Sequence, residues 1–553
     1  MFNWLKKTAA TAKQTTDTNR SVNAIIDSEA LKNQGNTYFG EGKLEDAAEC
    51  YRQAITLNPD FAEACSNLGY VIEIQGNPDE AVILYRKAIT LNPDLFTAHS
   101  NRGETNAARE CFQCVIALDP EHAVALQRLG VIAAQYGDYA EAETLLRRAL
   151  ATDEDNAALH TNLGHVLKSQ ARLHEAMAEY RRAIQLDASL ADAHYSLGAL
   201  AQMTNRMDEA EACYRQALQI RPDHAEAHNN LGGIFKGSGR IAEAEASFRR
   251  ALQIRPEYVE GHYNLGIVLQ EQDRMVDAEA CYRRALEINP DYAAVHNNLG
   301  VLFKDQSRTD EAEASYRAAL NIKQDDANVY SNLAYTLNYN PGKSREEILV
   351  EHRKYDERFC LPLREKWRPH INSLEPQRRL KVGYVSPDLR SHSVAFFLEP
   401  LLREHDRQAV EVYCYAEVHQ PDAVTMRLQR LANHWRTTIG MSDENLAQQI
   451  IDDGIDILVD LAGHTSHNRL PVFARRPAPI QVTWLGYPHS TGLSAMDYRL
   501  VDAITDPQEE ADTWASEALV RLKNGFLCYA PPQEAPAPSP PPCLKSGIIT
   551  FGS

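Results

Sequence analysis

Two short polar segments in the second half of the chain carry residue types that move protons. Asp388 and His392 lie in the segment Ser-Pro-Asp388-Leu-Arg-Ser-His392, between a predicted strand and a predicted helix. A carboxylate and an imidazole at this spacing could act as an acid–base pair, or both could cap the helix that follows. His464 follows another predicted strand, in Asp-Leu-Ala-Gly-His464-Thr. Because the carboxyl ends of parallel strands share one edge of a sheet, the two histidines are expected to border a common cleft.

A third loop, Gly486-Tyr-Pro-His-Ser-Thr491-Gly492, follows a further predicted strand. Its glycines allow the backbone to approach a ligand closely. The sequence contains no G-x-x-x-x-G-K-S/T, no G-x-G-x-x-G and no H-E-x-x-H, so kinase-like, dinucleotide-binding and zincin functions lack support. The ten cysteines have no metal-binding spacing, and no metal is expected.

The elements that position these loops begin at Arg379, where strands and helices alternate. We predict strands over 380–386, 410–418, 455–461 and 480–485, and helices over 393–405, 423–435, 445–453 and around 471–474. Alternation at this spacing predicts a parallel sheet with helices on both faces, which is a Rossmann-like lobe.

The first 320 residues follow a 34-residue period that predicts stacked helical hairpins. The period is marked by the alanine that begins each second helix: Ala47, Ala81, Ala108, Ala142, Ala176, Ala210, Ala244, Ala278 and Ala312. The step to Ala108 is seven residues short, so the first helix or turn of the third repeat should be truncated. The pattern resembles tetratricopeptide repeats.

One polar position recurs in the first helix of each repeat, two residues before its small residue, which is usually Gly. It is occupied by Asn33, Asn67, Asn101, Arg128, Asn162, Ser196, Asn230, Asn264, Asn298 and Asn332. Asparagine is a poor interior helix residue, so helix propensity does not explain the row. The amides could hydrogen-bond between adjacent hairpins, or they could grip the backbone of an extended polypeptide.

Composition describes an ordinary globular protein of at least two units, with 553 residues and a net charge of −19. That charge argues against nucleic acid as the main partner. No apolar run reaches membrane-spanning length and no secretion signal is recognised. The cysteine usage fits a reducing compartment, and we expect a cytoplasmic protein.

The second region also resembles a known family. The segment Arg476-Pro-Ala-Pro-Ile-Gln-Val-Thr-Trp-Leu-Gly-Tyr-Pro488, together with the two histidine motifs, is similar to the amino-terminal catalytic lobe of the tetratricopeptide O-linked N-acetylglucosamine transferases. The plant SPINDLY O-fucosyltransferases are relatives. The resemblance implies an inverting, metal-independent enzyme of two Rossmann-like lobes, the GT-B type, which transfers N-acetylglucosamine from a UDP-sugar to Ser or Thr.

The resemblance also implies roles for individual residues. His392 matches the active-site histidine of the first motif, with Asp388 on the same loop, and His464 matches a histidine of bacterial members. Thr491 and Gly492 would line the acceptor or sugar end. The family's asparagine ladder binds acceptor polypeptides, which implies that role for Asn162, Asn230, Asn264, Asn298 and Asn332. The family usually has Gly or Asn after Gly-Tyr-Pro, where this sequence has His489, so the resemblance does not extend to this position.

The predicted organisation runs from repeats to one catalytic lobe. It comprises a flexible 1–25, repeats over 26–340, a closing helix and linker over 341–378, the amino-terminal catalytic lobe over 379–530, a Pro-rich linker over 531–546 and the first strand of a second lobe over 547–553. We expect a helical superhelix followed by one lobe, possible homodimerisation through the repeats, and no sugar transfer by this chain on its own. The alternatives are a non-catalytic repeat scaffold that binds polypeptides and an O-fucosyltransferase.

Overall fold

A computed structural model describes residues 27–92, 109, 112–113, 115–117 and 119–530 of the chain. The predictions for 1–25, 531–546 and 547–553, and the shortening of the third repeat before Ala108, lie outside the described residues. The chain divides into two units, residues 1–256 and 257–553. Among the described residues, no helix is both long enough and apolar enough to cross a bilayer.

The described part of the first unit consists of antiparallel helical hairpins, as the 34-residue period predicts. First and second helices alternate, with turns of a few residues between them. The helices span 27–40, Leu44–Leu57, Ala62–Ile74, Pro78–Leu91, Ala123–Gln135, Tyr139–Thr152, Ala157–Ser169, Leu173–Leu186, Ala191–Met203, Met207–Ile220, Ala225–Gly237 and Ile241–Ile254.

The glycine of most described first helices lies against an aromatic ring of its partner helix, whereas Gly130 lies against Leu146. A Cβ on Gly164 would lie 2.6 Å from the Tyr180 ring, and one on Gly232 would lie 2.7 Å from the Phe248 ring. These rings are at most 1% exposed. The hairpin therefore packs through a ring laid against bare backbone, which only glycine permits at this distance.

The second unit begins with further hairpins of the same kind. Their helices span Val259–Glu271, Met275–Ile288, Ala293–Asp305, Thr309–Ile322 and Ala327–Leu337. The closing helix, Arg345–Tyr355, starts with a capping box in which Ser344 and Glu347 bond reciprocally to each other's backbone N–H. A π-helical turn, Asp356–Cys360, and a 3₁₀ turn, Leu361–Lys366, lead from it towards the lobe.

The lobe is a parallel sheet of seven strands in the order β3-β2-β1-β4-β5-β6-β7. The strands are β1 Leu380–Ser386, β2 Val410–Ala416, β3 His434–Thr437, β4 Ile457–Asp460, β5 Ile480–Thr483, β6 Tyr498–Val501 and β7 Ala518–Arg521. Helices Ser393–Glu404, Ala423–Leu431, Asp443–Asp453 and Leu470–Phe473 connect the first five strands, and the 3₁₀ turn Ala511–Trp514 precedes β7.

Apolar side chains cover both faces of the sheet. On β1, Val382 and Tyr384 join one buried cluster and Val385 joins the other, as the two-residue alternation of a strand requires. Helix Ser393–Glu404 contributes to the first cluster and helix Asp443–Asp453 to the second. The prediction of a Rossmann-like lobe after helical repeats is therefore confirmed.

Two parts of the lobe differ from the sequence prediction. The helix predicted over 423–435 ends at Leu431, and residues 434–437 form β3, because Tyr413 of β2 offers a parallel partner to His434. Strands β6 and β7 were not predicted; each has four residues. Their stability depends on pairing with neighbours far along the chain, which local sequence does not show.

Candidate functional site

The loops that follow β1, β2 and β4 surround a cavity of about 340 Å³ at the carboxyl edge of the sheet. Strand order reverses between β1 and β4, so their loops diverge there and leave a crevice. The cavity is lined by Pro387, Asp388, Arg390, Glu417, His419, Gln420, Ser466 and His467. We call it the switch-point cavity. Its position is the one where open parallel sheets bind their ligands.

Asp388 and His392 lie together beside this cavity, as their spacing predicts. His392 Nδ1 lies 3.7 Å from Asp388 Oδ2. Asp388 is 9% exposed, and burial raises the pKa of its carboxyl, opposed by the positive charge of His392, Arg390 and His467. A carboxyl whose pKa is raised in this way is better matched to proton transfer near neutral pH than an exposed one.

The hydrogen bond of His392 to the following helix fixes its tautomer. The backbone N–H of Val394 donates to His392 Nδ1 at 3.3 Å, so His392 is the N-cap of helix Ser393–Glu404. With Nδ1 accepting, the proton of a neutral imidazole resides on Nε2. The side chain is 38% exposed. Capping and chemistry are thus compatible, because the cap occupies one ring nitrogen and the other reaches solvent.

Two histidines of the switch-point cavity were missed by the sequence interpretation. The rings of His419 and His467 lie 5.6 Å apart between centroids. His467 has a φ of +57°, a left-handed conformation that a side chain other than glycine or asparagine adopts at some cost. The available signal was their position in loops after strands, since His419 lies three residues after the end of β2 and His467 seven residues after the end of β4.

His464 lies in the interior and not on an open surface. It is 1% exposed; Ser331 Oγ lies 3.1 Å from its Nδ1, and its Nε2 donates to the carbonyl oxygen of Thr491 at 2.8 Å. Burial, and then the neighbouring His352, hold the pKa of His464 well below its usual range. Its catalytic role stays a prediction, and these contacts favour a positioning role, because both ring nitrogens are already engaged.

A second chain of hydrogen bonds joins the repeats to the loop after β5. Asn338 donates to the Tyr487 hydroxyl at 2.6 Å, and Tyr487 donates to His352 Nε2 at 2.7 Å. His352 Nδ1 then donates to the carbonyl oxygen of Ile348 at 2.7 Å. Asn338 ends the last repeat helix and His352 belongs to the closing helix, so this network fixes the loop to both.

Thr491 and Gly492 are buried within the same loop. Glu517 accepts from the Thr491 backbone N–H at 2.7 Å and from its hydroxyl. Gly492 has a φ of +77°, and a Cβ there would lie 2.4 Å from the His352 carbonyl oxygen. Their contact with the acceptor or sugar stays a prediction. Their burial favours a role in shaping the loop.

His489 occupies the position where the family usually has Gly or Asn. Its Nδ1 is buried and has no hydrogen-bond partner among the described residues. Burial, followed by the charges of His352 and Arg499, lowers the pKa of His489 to about 3. It borders a cavity of about 480 Å³ that also includes Tyr339 and Arg345 of the second unit's helical part.

The contacts of the asparagine row support hydrogen bonding between adjacent hairpins, and they are compatible with binding of an extended polypeptide. Asn230 Nδ2 lies 3.4 Å and 3.3 Å from the Tyr195 and Tyr214 hydroxyls, which belong to the preceding hairpin. Asn332 Nδ2 donates to Asn297 Oδ1 at 3.0 Å. Asn162, Asn230, Asn264, Asn298 and Asn332 are all partly exposed, so their amides are accessible from solvent as well as linked to neighbours.

Comparison with protein families matches both regions of the chain. The model described as glycosyl transferase family 41 matches residues 356–530. Models of tetratricopeptide repeats match residues 35–76, 62–95, 102–165, 165–205, 189–257 and 258–325.

Curated relatives and one solved structure carry related descriptions. A probable UDP-N-acetylglucosamine–peptide N-acetylglucosaminyltransferase SPINDLY of Petunia hybrida is 40% identical over 221 residues, which are 39% of this chain and 24% of the relative. The UDP-N-acetylglucosamine–peptide N-acetylglucosaminyltransferase of Caenorhabditis elegans is 37% identical over 159 residues, 28% of this chain and 14% of the relative.

The solved structure is a mutant of the Thermobaculum terrenum O-GlcNAc transferase. It is 35% identical, has a TM-score of 0.52, and is matched over 57% of this chain and 60% of that one. The chain thus spans about a quarter of the length of the first curated relatives it matches, 24% for the Petunia protein.

Proposed function

We propose that this chain, whose residues 356–530 match the model of glycosyl transferase family 41 and which carries tetratricopeptide repeats, is a protein O-glycosyltransferase. Its donor is UDP-N-acetylglucosamine, and its acceptors are Ser or Thr hydroxyls of polypeptides held by the repeats. The observation that carries the proposal is the Asp388–His392 pair beside the switch-point cavity, within the matched family region.

The proposed reaction is a direct displacement at the anomeric carbon of the sugar. The acceptor oxygen forms a bond to that carbon on one face while the bond to the UDP oxygen breaks on the other, which inverts the configuration. The acceptor hydroxyl loses its proton to a base, and UDP leaves with the bonding electrons. The protein must therefore accept one proton and stabilise the negative charge that grows on the diphosphate.

In this proposal, two neighbouring side chains divide these two tasks. His392 carries its proton on Nε2 when neutral, so it is suited to donate a hydrogen bond to developing negative charge. Asp388, whose pKa is raised by burial, is suited to accept the acceptor proton, directly or through a water molecule. No step requires a metal ion in this proposal, because hydrogen-bond donors supply the stabilisation of the leaving group.

The repeats supply the acceptor site in this proposal. A row of partly exposed amides, each with a donor pair and an acceptor, binds the backbone of an extended chain irrespective of its side chains. Such binding presents many different Ser and Thr residues to one site.

The proposal is tested by incubating the native protein with UDP-N-acetylglucosamine and an acceptor protein, followed by mass spectrometry of the acceptor. Addition of N-acetylhexosamine supports the proposal. Addition of fucose from GDP-fucose, with none from UDP-N-acetylglucosamine, would support the fucosyltransferase alternative. Tight polypeptide binding without transfer from either donor would support the scaffold alternative. The same assay with the 553-residue chain tests whether it is inactive on its own.

A further inference from the structure

A larger cavity lies at the opposite edge of the sheet, where β1, β4 and β5 begin. Its volume is about 720 Å³, which is within the range of pockets that bind small molecules. It lies between the linker that precedes β1, helix Asp443–Asp453, and residues 475–477 before β5. We call it the amino-edge cavity. Because strands of a parallel sheet begin on one side and end on the other, it is separate from the switch-point cavity.

Three cationic side chains of the amino-edge cavity have no carboxylate partner. Among the described residues, no carboxylate forms an ion pair with Lys366, Arg368 or Arg475, and Arg475 donates only to the Pro471 carbonyl oxygen, at 2.7 Å. By contrast, most arginines of the repeat helices pair with Glu or Asp, as Arg308 does with Glu279. The chain as a whole has a net charge of −19, so three cations without a carboxylate partner around one cavity differ from its general charge pattern. Like charges repel at short range, so an anion bound between them would stabilise the arrangement.

The remaining cations of the cavity are already engaged and help to shape it. Arg378 forms a bidentate pair with Asp456, and Lys381 donates to the Asp453 carbonyl oxygen at 2.7 Å. His370 also lines the cavity, and burial, followed by the positive charge of Arg476, lowers the pKa of its imidazole.

Carboxylates that line the same cavity restrict what the anion can be. Glu444 and Asp452 belong to helix Asp443–Asp453, and both line the cavity together with Lys366 and Arg368. They would repel a polyphosphate but accept hydrogen bonds from hydroxyl groups. Part of the cavity lining is apolar and exposed, since Ile371 and Ile451 line it and are 97% and 39% exposed. Apolar carbon surface of this kind packs against the C–H face of a sugar ring.

We infer that the amino-edge cavity binds a phosphorylated sugar. The phosphate lies among Lys366, Arg368 and Arg475, and the ring hydroxyls reach Glu444 and Asp452. This site is distinct from the one that would transfer sugar, and its ligand is a monophosphate that is not consumed there. Because Lys366 and Arg368 are exposed residues of the linker between the closing helix and β1, occupancy would hold that linker against helix Asp443–Asp453.

The inference is tested by isothermal titration calorimetry of the native protein with glucose 6-phosphate, glucose and inorganic phosphate as probes. We expect glucose 6-phosphate to bind at least about tenfold more tightly than either glucose or phosphate, because each has only half of the contacts. Lys366→Ala and Arg368→Ala should each weaken glucose 6-phosphate binding about tenfold, and more at low ionic strength. Lys523→Ala, which removes an exposed lysine outside the cavity, should leave binding unchanged.

A further variant separates a sugar phosphate site from a plain anion site. Glu444→Ala removes the acceptor of the ring hydroxyls and should weaken glucose 6-phosphate binding, while inorganic phosphate binds as well as before or better, since a repelling charge is removed. The inference is overturned if glucose 6-phosphate gives no binding heat at millimolar concentration, if inorganic phosphate binds equally well, or if the Lys366 and Arg368 variants bind normally. Sugar transfer by the Lys366→Ala protein should be unchanged, so this result and the outcome for the proposed function are independent.

Discussion

Tyr487 donates a hydrogen bond to His352 across 135 residues of sequence, with an oxygen–nitrogen distance of 2.7 Å. Tyr487 belongs to the loop after β5, and His352 to the closing helix that follows the repeats. Both side chains are buried, at 6% and 0% exposure. The bond therefore ties the loop that carries Thr491 and Gly492 to the helical part of the second unit, in an interior where an unpaired polar atom is costly.

Removing the Tyr487 hydroxyl should destabilise the protein. In Tyr487→Phe, buried His352 Nε2 loses its hydrogen-bond partner, while the Asn338 amide loses one acceptor and keeps the Ala334 carbonyl oxygen, so we expect the free energy of unfolding to fall by about 1–3 kcal/mol. Urea denaturation measures it. The matched control is Tyr339→Phe, which removes a hydroxyl bonded to Tyr335 on a residue that is 55% exposed, and it should cost less than about 0.5 kcal/mol. Equal losses in the two variants would show that the bond adds no stability.

The buried histidines His352 and His489, at the loop after β5, predict that the free energy of unfolding falls at acid pH. Burial lowers the pKa of His352 from 6.5 to about 4 and that of His489 to about 3, where the charge of His352 contributes as well. The unfolded chain binds protons that the folded one does not, so this stability is present above about pH 6.5 and is lost as pH falls towards about 4. Urea denaturation at about pH 7.5 and about pH 5 should show the decrease.

A variant identifies the group responsible for this pH dependence. His489→Asn cannot be protonated, and it should reduce the decrease in unfolding free energy between the two pH values. His174→Asn, which changes an exposed histidine of a repeat, should leave the decrease as it is in the unmodified protein. If both variants retain the full decrease, His489 does not contribute to it.

Gly492 should tolerate substitution poorly because of its neighbour as well as its backbone. Gly492→Ala places a Cβ 2.4 Å from the His352 carbonyl oxygen, at a φ of +77°. Gly440 has the same φ of +77°, but a Cβ there would meet nothing within 4 Å. We expect Gly440→Ala to cost about 1 kcal/mol, and Gly492→Ala at least about 2 kcal/mol more. Thermal denaturation of the two variants measures the difference, and similar costs would contradict the close approach.

One set of substitutions in the asparagine row tests both whether the amides bind a polypeptide and whether they link adjacent hairpins. Replacement of Asn230, Asn264 and Asn298 by Ala should weaken binding of an extended acceptor peptide at least about tenfold, because backbone-binding amides are lost. Fluorescence anisotropy with a labelled peptide measures the affinity, and circular dichroism follows thermal unfolding. Asn321→Ala, an exposed position of a second helix, serves as the control. Lower thermal stability with unchanged peptide affinity would mean that the amides only link adjacent hairpins.

Local sequence was sufficient to predict the structural features that depend on residues close together along the chain. The strand β1, the following helix and its N-cap His392 lie within one short segment, and the 34-residue period identified the repeats. The bond between Tyr487 and His352, and the burial of His464 against Ser331, depend on elements more than 130 residues apart. No spacing rule relates such residues. For the same reason β3 was assigned to a helix, since its partner β2 lies outside the local segment.

The central claim is that His392 Nε2 takes part in sugar transfer, and its capping role makes a clean test possible. His392→Ala removes the N-cap and should cost about 0.5–2 kcal/mol of stability. Asn caps helices well, so His392→Asn should keep stability near that of the unmodified protein while it removes the imidazole.

The most direct measurement is the rate of N-acetylglucosamine transfer by the native protein and its His392→Asn variant, at equal peptide affinity and equal thermal stability. We predict that the variant binds peptide normally and transfers sugar at least about 100-fold more slowly, as expected for loss of a group that acts in the transition state. Transfer by His392→Asn at the rate of the unmodified protein would contradict the assignment, and absence of transfer by the unmodified protein would contradict the proposed enzyme function itself.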